Sequence, residues 1–446
     1  MRHLRTCSLT LLAAASFAAD ATLAEERQTV ENRQIPVWAK QEVNINVKAD
    51  PDVASRELWY RSFDGKAWSA WQKHGQAFSK DAPITWAAPE AHWQVYIRKV
   101  LTSGLAMPEP GAETKVHGEF IIDRSAPAVA VKFPATKAIL AGGAKYTVTW
   151  DATDPYLRGA PVAVKWSRDG KAEGETVATA IPNSGAFEWT VPRDMTTSGV
   201  LRIEALDKAG NLGAAESGNL TVDSIKPKGK VVNPSISAKA DLALELDVKD
   251  EGPAGLASAQ LWVSQDDGTS WTQGPVISDF KSVAWKAPAD GRYRLAVQVE
   301  DKAKNQSAVP KGKDGEQFVL IVDSTAPAVL LSSAIGIVPA DQAVAGTKRD
   351  FKPGDRVQVP FAVKDANLAA NTVTVSFQAD ADKPWQILAD KLPADTAYRF
   401  EVPNVSTKAA RIKVNAVDAA GNIGESIATE SFAIQNVVVE DDVEIK

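Results

Sequence analysis

Nine aspartates of this chain fall into three sets that repeat about every hundred residues. One member of each set precedes a proline-containing join: Asp123 in "FIIDRSAPAV", Asp223 in "LTVDSIKP" and Asp323 in "FVLIVDSTAPAV". A second closes an alternating run: Asp154 in "WDATD", Asp250 in "LDVKDEG" and Asp365 in "FAVKDAN". A third opens a polar turn: Asp207 in "LDKAGN", Asp301 in "VEDKAKN" and Asp418 in "VDAAGN". Carboxylates that gather repel one another unless something compensates them, and calcium takes six to eight oxygens from such side chains and from nearby carbonyls. Three sets of converging aspartates would therefore suit calcium at the joins. The same residue types also serve turns without any ion, because Asp caps neighbouring N–H groups and Gly or Asn accepts a left-handed backbone. The pattern admits both readings.

The aromatic residues offer a second kind of chemistry. Trp86, Trp189 and Trp285 recur in "WAAP", "WTVP" and "WKAP", with Phe400 in "FEVP", and a repeated large apolar position reads as core. The first copy adds Trp68 and Trp71 in "AWSAWQ" and Trp93 in "AHWQVY". Exposed rings of this kind stack on sugars, so Trp68, Trp71 and Trp93 are the candidate ligand-binding residues, with core or hairpin packing as the competing use. "SQDDGTSW", Ser264 to Trp271, is similar to the Asp-box hairpins of sialidase propellers. There the Asp caps a turn, the Gly takes positive φ and the Trp folds back, which is a structural device. Catalytic signatures are missing: the chain has no G-x-S-x-G elbow, P-loop, G-x-G-x-x-G or H-E-x-x-H. Beyond the first residues the histidines are His74, His92 and His117, none spaced as zinc ligands. No enzyme and no organic cofactor is expected.

Strands must position these groups. "WQVYIRKV", "VLRIEALD", "YRLAVQVED" and "ARIKVNAVD" alternate apolar and polar residues, the mark of half-buried strands. Upstream, "LWYRSFDG", "VAVKWSRDG" and "LWVSQDDG" run into Asp-Gly, a strong hairpin signal; the fourth copy has "DADKPW" instead. No helical stripe is apparent. Repeats of this length, built of short strands and regular turns, predict an all-β chain of four tandem β-sandwich domains, at 35–122, 123–222, 223–322 and 323–435. In such a sandwich two loops of one end meet the incoming chain, which would bring each aspartate set together at a junction. The first copy keeps Asp50 in a comparable early loop but has "RKVLTS" in place of the late turn.

The stretch "TWDATD…VKWSRDG…FEWTVP…LRIEALDKAGN…VDSIKP" resembles the bacterial immunoglobulin-like, fibronectin type III-like repeats of secreted and cell-surface proteins. That resemblance implies the fold and an exported context, and function only loosely. The opening "MRHLRTCSLTLLAAASFAADATLAEE" has the layout of a cleaved signal peptide over 1–24, and the only cysteine, Cys7, lies within it. An exported chain without further thiols must hold each domain by its core, or by its core together with a bound metal. A net charge of −6 without a basic run argues against nucleic acid, and no later apolar stretch is long enough for a transmembrane segment. Residues 436–446, "NVVVEDDVEIK", read as an acidic tail. The expected function is that of an exported, non-enzymatic scaffold, spacer or adhesive protein of the bacterial envelope, periplasmic, surface-bound or secreted. Its partner would be an envelope protein or a polysaccharide, the latter if the first domain's tryptophans bind carbohydrate.

Overall fold

The computed structural model describes residues 34–171, 174–340 and 350–435. The expected signal peptide and acidic tail lie outside the described residues. Every regular element among the described residues is a β-strand, and none of them is a helix long and apolar enough to cross a membrane.

The alternation seen in the sequence becomes two-sided strands. In Lys145–Thr153, Val148, Trp150 and Ala152 are buried while Lys145, Asp151 and Thr153 face solvent, as a period of two requires. Four separate cores result. The first gathers Leu58, Ile84, Trp86, Trp93 and Phe120; the second Val148, Trp150, Trp189, Leu201 and Ile203. The third is built on Leu244, Leu261, Leu295, Val299 and Leu320, the fourth on Phe351, Val359, Phe377, Ile412 and Phe432. Spatially the chain divides between Val222 and Asp223 into two compact units, each holding two of these cores.

Each core lies between two sheets. In the second domain a sheet ordered Ala186–Thr190, Lys145–Thr153, Ala128–Phe133 faces a larger one containing Glu175–Ile181, Leu157–Ser167, Thr196–Asp207 and Leu220–Asp223. The third and fourth domains repeat that order, with Asp241–Lys249 and Arg356–Lys364 central in their smaller sheets. In three of the domains a short early strand pairs in parallel with the last strand of the same domain: Val37–Trp38 with Ile121 and Ile122, Ile236–Ser237 with Ile321 and Val322, Asp350–Phe351 with Ala433 and Ile434. That pairing occupies backbone groups at an edge that would otherwise invite another strand.

The hairpin clasps form as the sequence predicts. Asp266 accepts hydrogen bonds from the Ser264 hydroxyl at 2.8 Å and from the N–H and hydroxyl of Ser270 at 2.8 and 2.6 Å. The Ser270 contacts hold its carboxyl at about 2. Gly268 sits at φ +94° with the Gly312 carbonyl 2.5 Å from where a Cβ would stand, so neither its backbone nor its space admits a side chain.

Candidate functional site

The strand register explains why the aspartates meet. Asp154 turns the chain from Lys145–Thr153 into Leu157–Ser167, and Leu157 pairs with Asp207, the last residue of Thr196–Asp207. Leu256 pairs in the same way with Asp301, and Leu368 with Asp418. The linker aspartate arrives at that end directly from the preceding domain's last strand. Carboxylate oxygens of Asp123, Asp154 and Asp207 consequently lie within 4.8 Å of one another, as do those of Asp223, Asp250 and Asp301 and those of Asp323, Asp365 and Asp418. In every set the linker and late-turn members are buried and the middle one is half-buried.

Much of each set is engaged in turn chemistry. Asp207 accepts the N–H groups of Gly210 and Asn211 at 2.7 and 2.9 Å on Oδ1, and the Asn211 amide at 2.7 Å on Oδ2. Asp301 and Asp418 hold Asn305 and Asn422 in the same grip. Each Asn then donates to the linker: Asn211 to the Asp123 carbonyl at 3.0 Å, Asn305 to that of Asp223 at 3.1 Å, Asn422 to that of Asp323 at 2.7 Å. The middle aspartates cap the N–H two residues on, in Tyr156, Gly252 and Asn367.

The linker aspartates of the three sets differ in how Oδ2 is satisfied. Oδ2 of Asp223 accepts the Ala254 N–H at 2.9 Å, and Oδ2 of Asp323 accepts the Asn367 amide at 2.7 Å. Oδ2 of Asp123 is buried with no hydrogen-bond partner, in a residue only 6% exposed. Burial raises the Asp123 pKa, and the neighbouring charges of Asp154, Asp207 and Glu90 push it the same way against the Ser125 N–H. Tyr156 is affected too: burial and the charges of Asp123 and Asp154 raise its phenol. In the second set the buried oxygen without a partner is Oδ2 of Asp250.

Residues outside the aspartate pattern complete two of the joins. Arg124 turns away from the carboxylates and donates to the carbonyls of Lys40 and Ala88, at 2.9 and 2.8 Å through Nη2, while its N–H and the Ser125 hydroxyl reach Glu90. Asp290 plays the part of Glu90 in the second unit: it accepts the Ser324 N–H at 3.0 Å and the hydroxyls of Ser324 and Thr325 at 2.9 Å. Gly213 and Gly424 bring the strand after the late turn against the incoming linker, the carbonyls of Pro127 and Pro327 lying 1.9 and 1.8 Å from an added Cβ. The available signal was a glycine two residues past Asn in "AGNLG" and "AGNIG". Glu90 and Asp290 share only a place shortly after "WAAP" and "WKAP".

The first domain lacks the late aspartate. Leu101 ends Ala91–Leu101 where Asp207, Asp301 and Asp418 end theirs, and Asp50 pairs with Lys99 at 2.9 Å. Its tryptophans separate into two groups. Trp93 is a core residue, 8% exposed, packed edge-on to Trp86 with its Nε1 donating to the Pro89 carbonyl. The expectation that it lines a ligand face is thus corrected: it shares strand parity with Val95 and Ile97, both buried. Trp68 and Trp71 are half-buried and flank one guanidinium, Arg61 standing 5.3 and 4.7 Å from the two rings. Trp71 also donates to the Gly111 carbonyl at 3.0 Å, so it clasps a hairpin as Trp271 does on Gly312.

The domains are sandwiches of two sheets in tandem, and in three of them a short early strand pairs in parallel with the last. The chain is a tandem array of immunoglobulin- and fibronectin III-like domains. Solved structures similar to it include three N-terminal domains of the outer capsid protein Hoc of bacteriophage RB49, with 13% identity over 70% of this chain and 100% of that one, TM-score 0.35. Fibronectin(III)-like modules of CbhA from Clostridium thermocellum align over 44% of this chain and 94% of theirs, at 13% identity and TM-score 0.27. Immunoglobulin domains 1–5 of Sidekick-1 align over 90% and 78%, at 12% and 0.29. No protein-family model and no curated protein matches the chain. Likenesses this shallow say nothing about activity, and the fold rests on the strand order itself.

Proposed function

We propose that the chain is an exported, non-enzymatic scaffold or spacer of the bacterial envelope, whose domains carry interaction surfaces and whose joins within each compact unit are held firm. The observation that supports this reading is the double tie of the linker. In the first unit Asn211 holds the carbonyls of Asp123 and Ser125 from one domain, while Glu90 and the carbonyls of Lys40 and Ala88 hold Arg124 and Ser125 from the other. Asn422 and Asp290 grip Asp323 to Thr325 in the same way. A flexible tether has no use for bonds on both sides. Limited proteolysis tests this. Glu90→Ala should expose the 123–127 linker to cleavage, and Asp290→Ala the 323–327 linker. Linkers cut as fast in the wild-type chain as in the variants would overturn the firm join.

A second reading is carbohydrate or cell-wall binding through the first domain, favoured by Trp68 and Trp71 with Arg61 between them. Retention on insoluble polysaccharide, lost in Trp68→Ala with Trp71→Ala, would support it. Equal passage of wild type and variant through such a matrix would exclude it.

A further inference from the structure

We propose that the first join is a calcium site, built by Asp123, Asp154 and Asp207. The proposal deepens the reading of firm joins and rests on it.

Its starting point is the unsatisfied oxygen. A buried carboxylate oxygen without a donor costs free energy, and folded proteins rarely leave one so. At the equivalent atom the second join supplies a backbone N–H and the third a side-chain amide. The first supplies neither, because the residue two beyond the middle aspartate is Tyr156, which offers only its N–H, and that goes to Asp154 Oδ1 at 2.6 Å. Nor does the adjacent cation help: the guanidinium of Arg124 is spent on carbonyls of the preceding domain. Three carboxylates with one buried oxygen unpaired therefore meet where the charges of Asp154, Asp207 and Glu90 all bear on Asp123.

Size and ligand chemistry select the ion. Calcium binds oxygen at roughly 2.3–2.6 Å, so opposite ligands stand about 4.6–5.2 Å apart. One oxygen from each of the three aspartates, all within 4.8 Å of one another, fits inside that span. All the side-chain donors are hard carboxylates, which suits calcium and not zinc or copper. Single hydrogen bonds on Oδ2 of Asp207 and on Oδ1 of Asp123 and Asp154 leave those three oxygens a further lone pair each, while Oδ1 of Asp207 is occupied by two N–H groups, and water completes a shell of six to eight. A bound ion would join the linker to the turn at Asp154 and to the late turn in one set of contacts. The third join reaches the same end without an ion, since the Asn367 amide already supplies a hydrogen bond to Oδ2 of Asp323.

The full chain, stripped with chelator, is to be titrated calorimetrically with calcium chloride and separately with terbium chloride, read by aromatic-sensitised luminescence. Extracellular calcium sites have dissociation constants on the order of 10⁻⁴–10⁻³ M. The expected results are saturable heat in that range and a rise in melting temperature on adding calcium. Asp123→Asn with Asp154→Asn should weaken first-join binding by about tenfold or more, and Tyr156→Phe should dim the terbium signal. Asp323→Asn with Asp365→Asn should leave that binding intact. Should the double variant at the first join fold poorly, Asp154→Asn alone replaces it, since Asp154 is only half-buried. Three outcomes would overturn the proposal: no heat and no melting shift in the wild type at millimolar calcium, binding unchanged in the first-join variant, or magnesium producing the same affinity and shift. Protected linkers with no calcium binding would remove the ion and keep the firm join. Calcium binding beside freely cleaved linkers would remove the firm join and keep the ion.

Discussion

Gly213→Ala should destabilise the second domain, against the usual direction of such a change. Neither Gly213 nor Gly424 lies in the left-handed region, so the backbone admits alanine without strain. Replacing a glycine under those conditions ordinarily stabilises by about 0.4–1 kcal/mol through the unfolded chain. Here the new Cβ would stand 1.9 Å from the Pro127 carbonyl oxygen and 2.8 Å from its carbon, both backbone atoms. Restoring the 3.0 Å that real Cβ atoms keep requires the linker or the strand Leu212–Glu216 to move by about 1.1 Å. Overpacking of that order costs about 1–3 kcal/mol, so sterics outweigh the entropic gain except at the lower limit. For a domain of about 100 residues each kcal/mol lowers the melting temperature by about 4–8 °C. Differential scanning calorimetry of the full chain reads it, with Gly75→Ala as control, because that position has nothing within 4 Å of an added Cβ. The movement should also strain the Asn211 bonds to the linker, so cleavage at 123–127 should accelerate in parallel. A Gly213→Ala chain that melts at or above the Gly75→Ala chain would refute the argument that the strand is pressed on the incoming linker.

Asn211→Ala removes the donor from Oδ2 of Asp207, a residue with no exposed surface, together with two bonds to the linker. A loss of about 2–3 kcal/mol is expected from leaving a buried charged acceptor short of a partner, read as a lower urea midpoint. Glu57 supplies a pH dependence. Burial raises its pKa, but hydrogen bonds from Lys73, Arg98 and Trp59 outweigh burial and leave it lowered. The unfolded chain therefore binds this proton more readily than the folded one, so the contribution is present above the usual carboxylate range and fades as pH falls through the lowered value. The melting difference between wild type and Glu57→Gln should accordingly be full at neutral pH and close on acidification towards pH 3; a difference constant over that interval would count against it.

The parts of the molecule readable in sequence were those set by local periodicity. Alternation in "ARIKVNAVD" and its three counterparts gave strands with the expected faces, and the Asp-Gly turns gave hairpins. The meeting of the aspartates followed from sandwich connectivity, once the turn at Asp154 and the strand end at Asp207 fell at one end of the domain. Trp93 was misread because its neighbours in composition, Trp68 and Trp71, were weighed instead of its parity with Val95 and Ile97. Glu90, Asp290, Gly213 and Gly424 could not be read in the same way, since their roles depend on how closely one domain approaches the next. Close approach is a property of tertiary packing, and a single glycine or carboxylate carries no periodic signal of it.

The second position after each middle aspartate sharpens what the repeat does. Tyr156, Gly252 and Asn367 occupy equivalent places in otherwise similar joins, and each gives its N–H to the aspartate two residues before it. Only Asn367 also gives a side-chain donor to the linker aspartate. Gly252 instead lets Asp223 sit so close that an added Cβ would stand 2.2 Å from its Oδ2, and the carboxylate then reaches the Ala254 N–H. Tyr156 does neither, and its join is the one with a buried linker oxygen lacking a partner. If the aspartates served turn formation alone, this position would have no bearing on the linker carboxylate, yet in two joins it decides how that carboxylate is satisfied. It follows that Tyr156→Asn should give Asp123 the amide donor that Asp323 has. That variant should weaken calcium binding at the first join while leaving the turn, and hence the chelator-state melting temperature, at or above the wild-type value. A variant that bound calcium as tightly as the wild type would show that the unpaired oxygen is not what draws the ion.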